Sequence, residues 1–120
     1  MTQEFQNELG KVHISKEVIA NIAGMAAMEC YGLVGMASKK IQDGLAELLG
    51  RENLSRGVAV NSEGDKLVID LYVIVEYGTN ITEVANNIID KVAYTMKNIL
   101  GLQISKINVY VQGVRIGETN

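Results

Sequence analysis

The stretch Leu67–Gly78, LVIDLYVIVEYG, reads as one long strand whose two faces are both largely apolar. With side chains alternating at a period of two, Leu67, Ile69, Leu71, Val73, Val75 and Tyr77 fall on one face. Val68, Tyr72 and Ile74 fall on the other, interrupted by Asp70 and Glu76. A small domain usually covers only one face of its sheet, so the second face suggests a partner. The strand is expected to be the centre of the fold, and assembly is the leading theme.

Upstream, Gly57–Asn61 is separated from this strand by Ser62-Glu63-Gly64-Asp65-Lys66, a compact turn with glycine at its middle, which predicts an antiparallel hairpin. Downstream, a helix opens at Asn80, and Glu83 three residues on completes a capping-box-like pattern. Ile81, Val84, Ala85, Ile88, Val92, Met96 and Ile99 form its apolar stripe, and Gly101 supplies the stop. A last strand is predicted over Gln103–Gln112, with Ile107, Val109 and Val111 on one face and Asn108, Tyr110 and Gln112 on the other.

In the N-terminal half, Lys11–Ile14 alternates as a short strand and runs into Ser15, a good N-cap, with Glu17 favouring the positive end of a helix. Val18, Ile22, Met25, Ala26 and Glu29 share one side, and Ile19, Ala23, Ala27 and Cys30 widen the apolar face, so this helix is expected at the centre of the core. Tyr31–Met36, YGLVGM, reads as the glycine-rich turn that ends it. Ser38–Leu49 places Ile41, Leu45, Leu48 and Leu49 at helical spacing, with Gly44 weakening the middle, and Gly50–Gly57 is a polar connection.

The predicted order is β-α-(α)-β-β-α-β, an α+β fold whose mixed, mainly antiparallel sheet carries helices on one face. Glu17-Val18 and Asn21-Ile22 recur 66 residues later as Glu83-Val84 and Asn87-Ile88. Taken at face value, that repeat gives two β-α-β halves, the connectivity of a split βαβ or ferredoxin-like fold.

One domain is expected over residues 1–120, with a core from about Gly10 to Val114. A chain of this length buries about two thirds of its unfolded surface, enough for a core without staples. Hydrophobic content of 48% and charged content of 21% are those of a globular chain and exclude disorder. The net charge of −3 argues against a domain built to neutralise phosphate backbones. A lone Cys30 rules out an intrachain disulfide, and its AMECYG setting holds no cation to stabilise a thiolate, which predicts a buried, inert thiol.

The N-terminus carries acidic residues where a secretory signal has Lys or Arg, which predicts a cytoplasmic chain. Val18–Ala37 is apolar enough to be weighed as a membrane span. Glu29 lies well inside it, however, and a central carboxylate costs about 2.5–3.5 kcal/mol on insertion scales. Asn21, Gly24, Gly32 and Gly35 also favour a soluble helix and turn.

Chemistry is poorly signalled. His13 is the single histidine, reads as an exposed strand residue, and has no second imidazole or thiolate cluster with which to share a metal. A nucleophilic pairing of His13 with Cys30 lacks any oxyanion or orienting signature. Asp70 and Glu76 are about 20 Å apart along one strand, too far for a general acid and base. Gly32-Leu33-Val34-Gly35 has too few glycines and no Lys-Ser/Thr ending for a phosphate loop, and Leu and Val replace the basic residues of a nucleic-acid clamp. No enzyme activity, catalytic residue, cofactor or metal is predicted.

What remains is surface for contact. Tyr72, Ile74 and Tyr110, with Val68, make an amphipathic patch if the central and last strands are neighbours, and tyrosines suit interfaces because an apolar ring carries a hydrogen-bonding tip. Leu33, Val34 and Met36 are a second candidate surface. The alternative is that the segment 38–49 folds back and covers the tyrosine face.

Gly10–Ala23 (GKVHISKEVIANIA), Tyr31–Met36 (YGLVGM), Val68–Gly78 (VIDLYVIVEYG) and Ile107–Val114 (INVYVQGV) together resemble the alkaline shock protein family of Gram-positive bacteria, also called envelope stress response proteins. The set matches in order and spacing over nearly the whole chain. The resemblance implies a non-enzymatic homo-oligomer, cytoplasmic or held at the inner face of the membrane by a membrane-anchored protein partner, and linked to cell-envelope homeostasis. It carries over no catalytic residue and no cofactor. Two alternatives from other classes stay open. One is a lipid or acyl-chain binder with its pocket between the first and last helices, and the other is RNA binding through Lys39, Lys40, Arg51 and Arg56.

Overall fold

The computed structural model describes residues 2–39 and 47–116. Strands β1 (Thr2–Asn7) and β2 (Gly10–Ser15) lead into helix α1 (Lys16–Met28), then β3 (Leu33–Met36), a 3₁₀ segment (Arg51–Gly57), β4 (Val58–Glu63) and β5 (Lys66–Glu76). Helix α2 (Ile81–Thr95) continues through a π-helical turn (Met96–Leu100) into β6 (Ile104–Arg115). The α+β class and the mixed, mainly antiparallel sheet are those read from the sequence.

β5 is the axis of the sheet because it is the strand long and apolar enough to serve two edges. Its Lys66–Leu71 portion pairs antiparallel with β4, and its Val73–Val75 portion pairs antiparallel with β3. β6 runs parallel along Leu67–Glu76, so β3 and β4 must share the opposite edge, end to end. The β4–β5 hairpin closes with Glu63 opposite Lys66, a two-residue turn with Gly64 at φ 65°.

Leu67, Ile69, Leu71, Val73 and Val75 point into the core as their parity predicts, where α1 and α2 cover them. Tyr77, assigned to the same face, lies past the end of β5 and is exposed. Ser15 caps α1, its hydroxyl accepting from the Val18 N–H at 3.2 Å, and Asn80 caps α2 by accepting from the Glu83 N–H at 3.1 Å.

α1 buries Ile19, Ala20, Ala23, Gly24, Ala26 and Ala27 and leaves Val18 and Met25 exposed, so its inward face is rotated from the one anticipated. Small residues let neighbours approach closely, and a Cβ at Gly24 would lie 3.1 Å from the Leu54 Cβ of the 3₁₀ segment. On α2, Val84, Ile88 and Val92 are buried as predicted. The π turn then adds a residue to the helical period, so Leu100 packs on the core and Ile99 faces solvent. Gly101, at φ 69°, ends the helix, and the Leu102 N–H donates to the Met96 carbonyl at 3.0 Å.

Two further readings are corrected, and a third lies mainly outside the described residues. YGLVGM is a turn only at Gly32 (φ 88°), because Leu33–Met36 is β3, with Val34 the extra residue of a bulge. The helix predicted over Ser38–Leu49 falls mostly on residues 40–46, outside the described residues. Its flanks are extended and paired: the Ser38 N–H donates to the Glu47 carbonyl at 2.9 Å, and the Leu49 N–H to the Met36 carbonyl at 2.8 Å. The two β-α-β halves are also not equivalent, since β5-α2-β6 is a parallel unit in the main sheet whereas β2 pairs with β1 outside it.

Candidate interaction surface

The face of β5 turned away from the helices carries Val68, Asp70, Tyr72, Ile74 and Glu76. Parallel pairing sets Tyr72 opposite Tyr110 and Asp70 opposite Asn108. The two tyrosine rings stack with centroids 4.9 Å apart and planes inclined by 14°. One step along, the Asn108 side-chain amide donates to Asp70 Oδ1 at 2.8 Å. Such cross-strand pairs are the units that hold a sheet face in one arrangement, and an aromatic pair contributes about 0.5–1.5 kcal/mol beyond its burial. Tyr110 remains 44% exposed. Burial first, then the charges of Asp70 and Tyr110, push the Tyr72 phenol above its usual range, so it stays a neutral hydrogen-bonding group.

Of the six residues proposed from sequence, the structure brings Tyr72 and Tyr110 together and removes two others from the surface. Ile74 is fully buried on this same face, opposite Gly35. The side chain of Leu48 lies over Gly35, where a Cβ would come 2.7 Å from its Cδ1, so one end of the face is partly covered by the segment suspected of doing so. Met36 is fully buried because it pairs with Val73 and points into the core. Leu33 and Val34 are half-buried in the bulged strand, with Leu33 packed against the core, which leaves no contiguous second surface.

Other candidate groups are engaged structurally. His13 is exposed and lies 3.7 Å from Glu4, at the far end of α1 from Cys30, about 20 Å at the helical rise. Lys91 comes near Cys30 across the α1–α2 contact and bonds Glu29 at 3.0 Å, a cation that local sequence did not show. Burial still outweighs it and pushes the Cys30 thiol up, with Sγ directed at the Ala26 and Asn87 carbonyls.

Lys39 donates to the Val58 carbonyl at 3.2 Å, and Arg56 lies 3.6 Å from Glu47; Lys40 is outside the described residues. The core under α1 and α2 is filled by Ala23, Ala27, Ile88 and Val92, all without exposed surface, where the acyl-chain reading needs a pocket. An open cavity of about 350 Å³ lies instead between α1 and the 3₁₀ segment, lined by Met25, Met28, Glu29, Arg51 and Leu54. Among the described residues no three His, Cys, Asp or Glu side chains cluster to hold a metal ion, and no helix is long and apolar enough to cross a membrane.

Residues 4–116, which run from within β1 through both helices to the end of β6, match a family described as having a cell envelope-related function. The chain belongs to the alkaline shock protein 23 family. It is 54% identical over 117 residues to the protein YloU of Bacillus subtilis strain 168, covering 97% of this chain and 98% of that one. Identity to Spy1614 of Streptococcus pyogenes serotype M6 is 38% over 117 residues, 97% of each chain. Identity to YqhY of Bacillus subtilis is 36% over 107 residues, 89% of this chain and 78% of that one. These family relatives are themselves uncharacterized, and no solved structure matches the chain.

Proposed function

We propose that this chain is a non-enzymatic interaction and assembly module of the cell envelope, acting from the cytoplasmic side and making its contacts around Tyr72 and Tyr110. The observation that carries this reading is the stacked, partly exposed tyrosine pair on the sheet face that α1 and α2 leave to other cover. Tyrosine is favoured at such places because it contributes large contact area at small conformational cost and keeps a hydroxyl for the rim. The partners are a second copy of the chain and a membrane-anchored protein.

The double variant Tyr72→Glu/Tyr110→Glu tests it. The assembly mass measured by light scattering is expected to fall toward the 13.1 kDa of one chain while the circular dichroism spectrum is unchanged. An unaltered mass with an unaltered fold removes this surface from the interaction.

A further inference from the structure

The N-terminal hairpin is an arm. β1 and β2 pair with each other from Thr2↔Ser15 to Asn7↔Gly10 and form a separate two-stranded sheet. Their directly opposed apolar residues, Phe5 and Val12, are 39% and 57% exposed. An isolated two-stranded hairpin is marginal in water and is stabilised by a third strand or by packing against a helix; here Ile14, at the base of the arm, packs against the core while Phe5 and Val12 stay exposed. The arm is also two-faced: Phe5, Val12 and Ile14 share one side, and Glu4, Gln6, Lys11 and His13 the other.

β6 offers the matching half. One of its edges pairs with β5, and among the described residues no strand pairs with the other. Such an edge is a row of donors and acceptors ready for strand addition. Bulges at Ser105 and Gln112 bound a regular segment, Lys106–Val111, equal in length to the six residues of β1. Ile107, Val109 and Val111 line its core side, Val111 still 36% exposed, and Lys106, Asn108 and Tyr110 line its outer side. A β1 strand laid there in phase puts Phe5 over the exposed rim of the core layer and Glu4 and Gln6 beside Asn108 and Tyr110. The charges agree as well: β6 carries Lys106 and Arg115 and no acid, while β1 and the turn after it carry Glu4 and Glu8 and no base.

We infer that β1 of one copy adds as a strand to the free edge of β6 in a second copy. The inference rests on the assembly reading above and names the partner and its seat, next to Tyr110. Donor and acceptor are different surfaces, so the contact is heterologous: each copy gives an arm and receives one, and the chain of copies stays open unless the rotation closes a ring. β1 is the donor because β2 runs directly into α1 at Ser15, whereas among the described residues no strand other than β2 pairs with β1.

Light scattering on full-length variants tests this. Phe5→Asp spoils the arm and Val111→Asp spoils the edge, both at exposed positions; Lys106→Glu replaces the edge variant if Val111→Asp lowers the melting temperature. Each single variant is expected to fall to the mass of one chain, 13.1 kDa. An equimolar mixture of the two is expected to recover a species of twice that mass, because the edge variant keeps a good arm and the arm variant a good edge. A wild-type assembly that Phe5→Asp leaves unaltered overturns the arm contact and leaves the assembly reading standing. Loss with Phe5→Asp but not with either edge variant means arm-to-arm pairing, and failure of the mixture to recombine also overturns the inference. A wild-type chain that runs as a monomer overturns both it and the reading on which it rests.

Discussion

Gly57 sits where the end of β3 passes the start of β4, the joint that lets two strands share one edge of β5. A Cβ there would lie 2.7 Å from the backbone oxygen of Ala37, 3.1 Å from the Met36 Cβ and 3.3 Å from the Leu49 Cδ1. The closest of these atoms is backbone and cannot rotate away, so Gly57→Ala forces the two strands apart. Overpacking of this kind costs about 1–3 kcal/mol, and the smaller entropy of the unfolded alanine chain returns about 0.4–1 kcal/mol.

Taking the middle of each range, the net loss is about 1.3 kcal/mol, or about 5 °C in melting temperature for a domain of this size. Gly35→Ala is the internal control. Its single close contact, 2.7 Å, is the end of the Leu48 side chain, which is partly exposed and free to swing toward solvent. Thermal unfolding followed by circular dichroism should place Gly35→Ala within about 0.5 kcal/mol of the wild type. If Gly57→Ala melts with the wild type, or Gly35→Ala falls as far as Gly57→Ala, the shared-edge geometry is not what Gly57 protects.

Tyr72 makes stability decline in alkali. Its folded-state phenol lies above the usual value of 10.0, so the unfolded chain ionises first; stability is unaffected below that value and falls as pH rises from it through the folded value. Tyr72→Phe should remove that part of the decline in denaturant melts, and Asp70→Asn should lower the Tyr72 pKa in a phenolate absorbance titration. Asn80→Ala deletes the side-chain acceptor for the Glu83 N–H and should cost about 1 kcal/mol, seen as a lower urea midpoint at unchanged slope, while Asn80→Ser should keep most of it. An alanine variant as stable as the wild type would show that the cap bond contributes nothing.

Most of what was legible in the sequence is local. The caps at Ser15 and Asn80, the stop at Gly101, the Gly64 turn and the stripe Val84-Ile88-Val92 are each set by residues within a turn or two of one another. The pairing of Tyr72 with Tyr110 was legible for a different reason: parity placed both on the outer face, and a parallel crossover through α2 brings β6 beside β5. Where the reading missed, a distant contact overrode a local signal. YGLVGM looks like a turn because glycines usually end helices, yet Val73–Val75 of β5 had an unpaired edge and took Leu33–Met36 as a strand. Ile99 left its stripe because the π turn changed the period, and the polar alternation of Thr2–Asn7 carried too little apolar content to announce β1.

The sequence by itself determined that the chain forms an α+β fold around Leu67–Gly78, which elements flank that strand, and which of its faces is core. These follow from backbone geometry and side-chain parity, which act over a few residues. Tertiary structure alone decided that Ile74 and Met36 are buried while Tyr110 is not, that β3 and β4 share an edge, and that β1–β2 stands apart while one edge of β6 carries no strand. Exposure and edge pairing depend on which distant segment covers a strand most favourably. That outcome is a sum over contacts no short window of sequence contains.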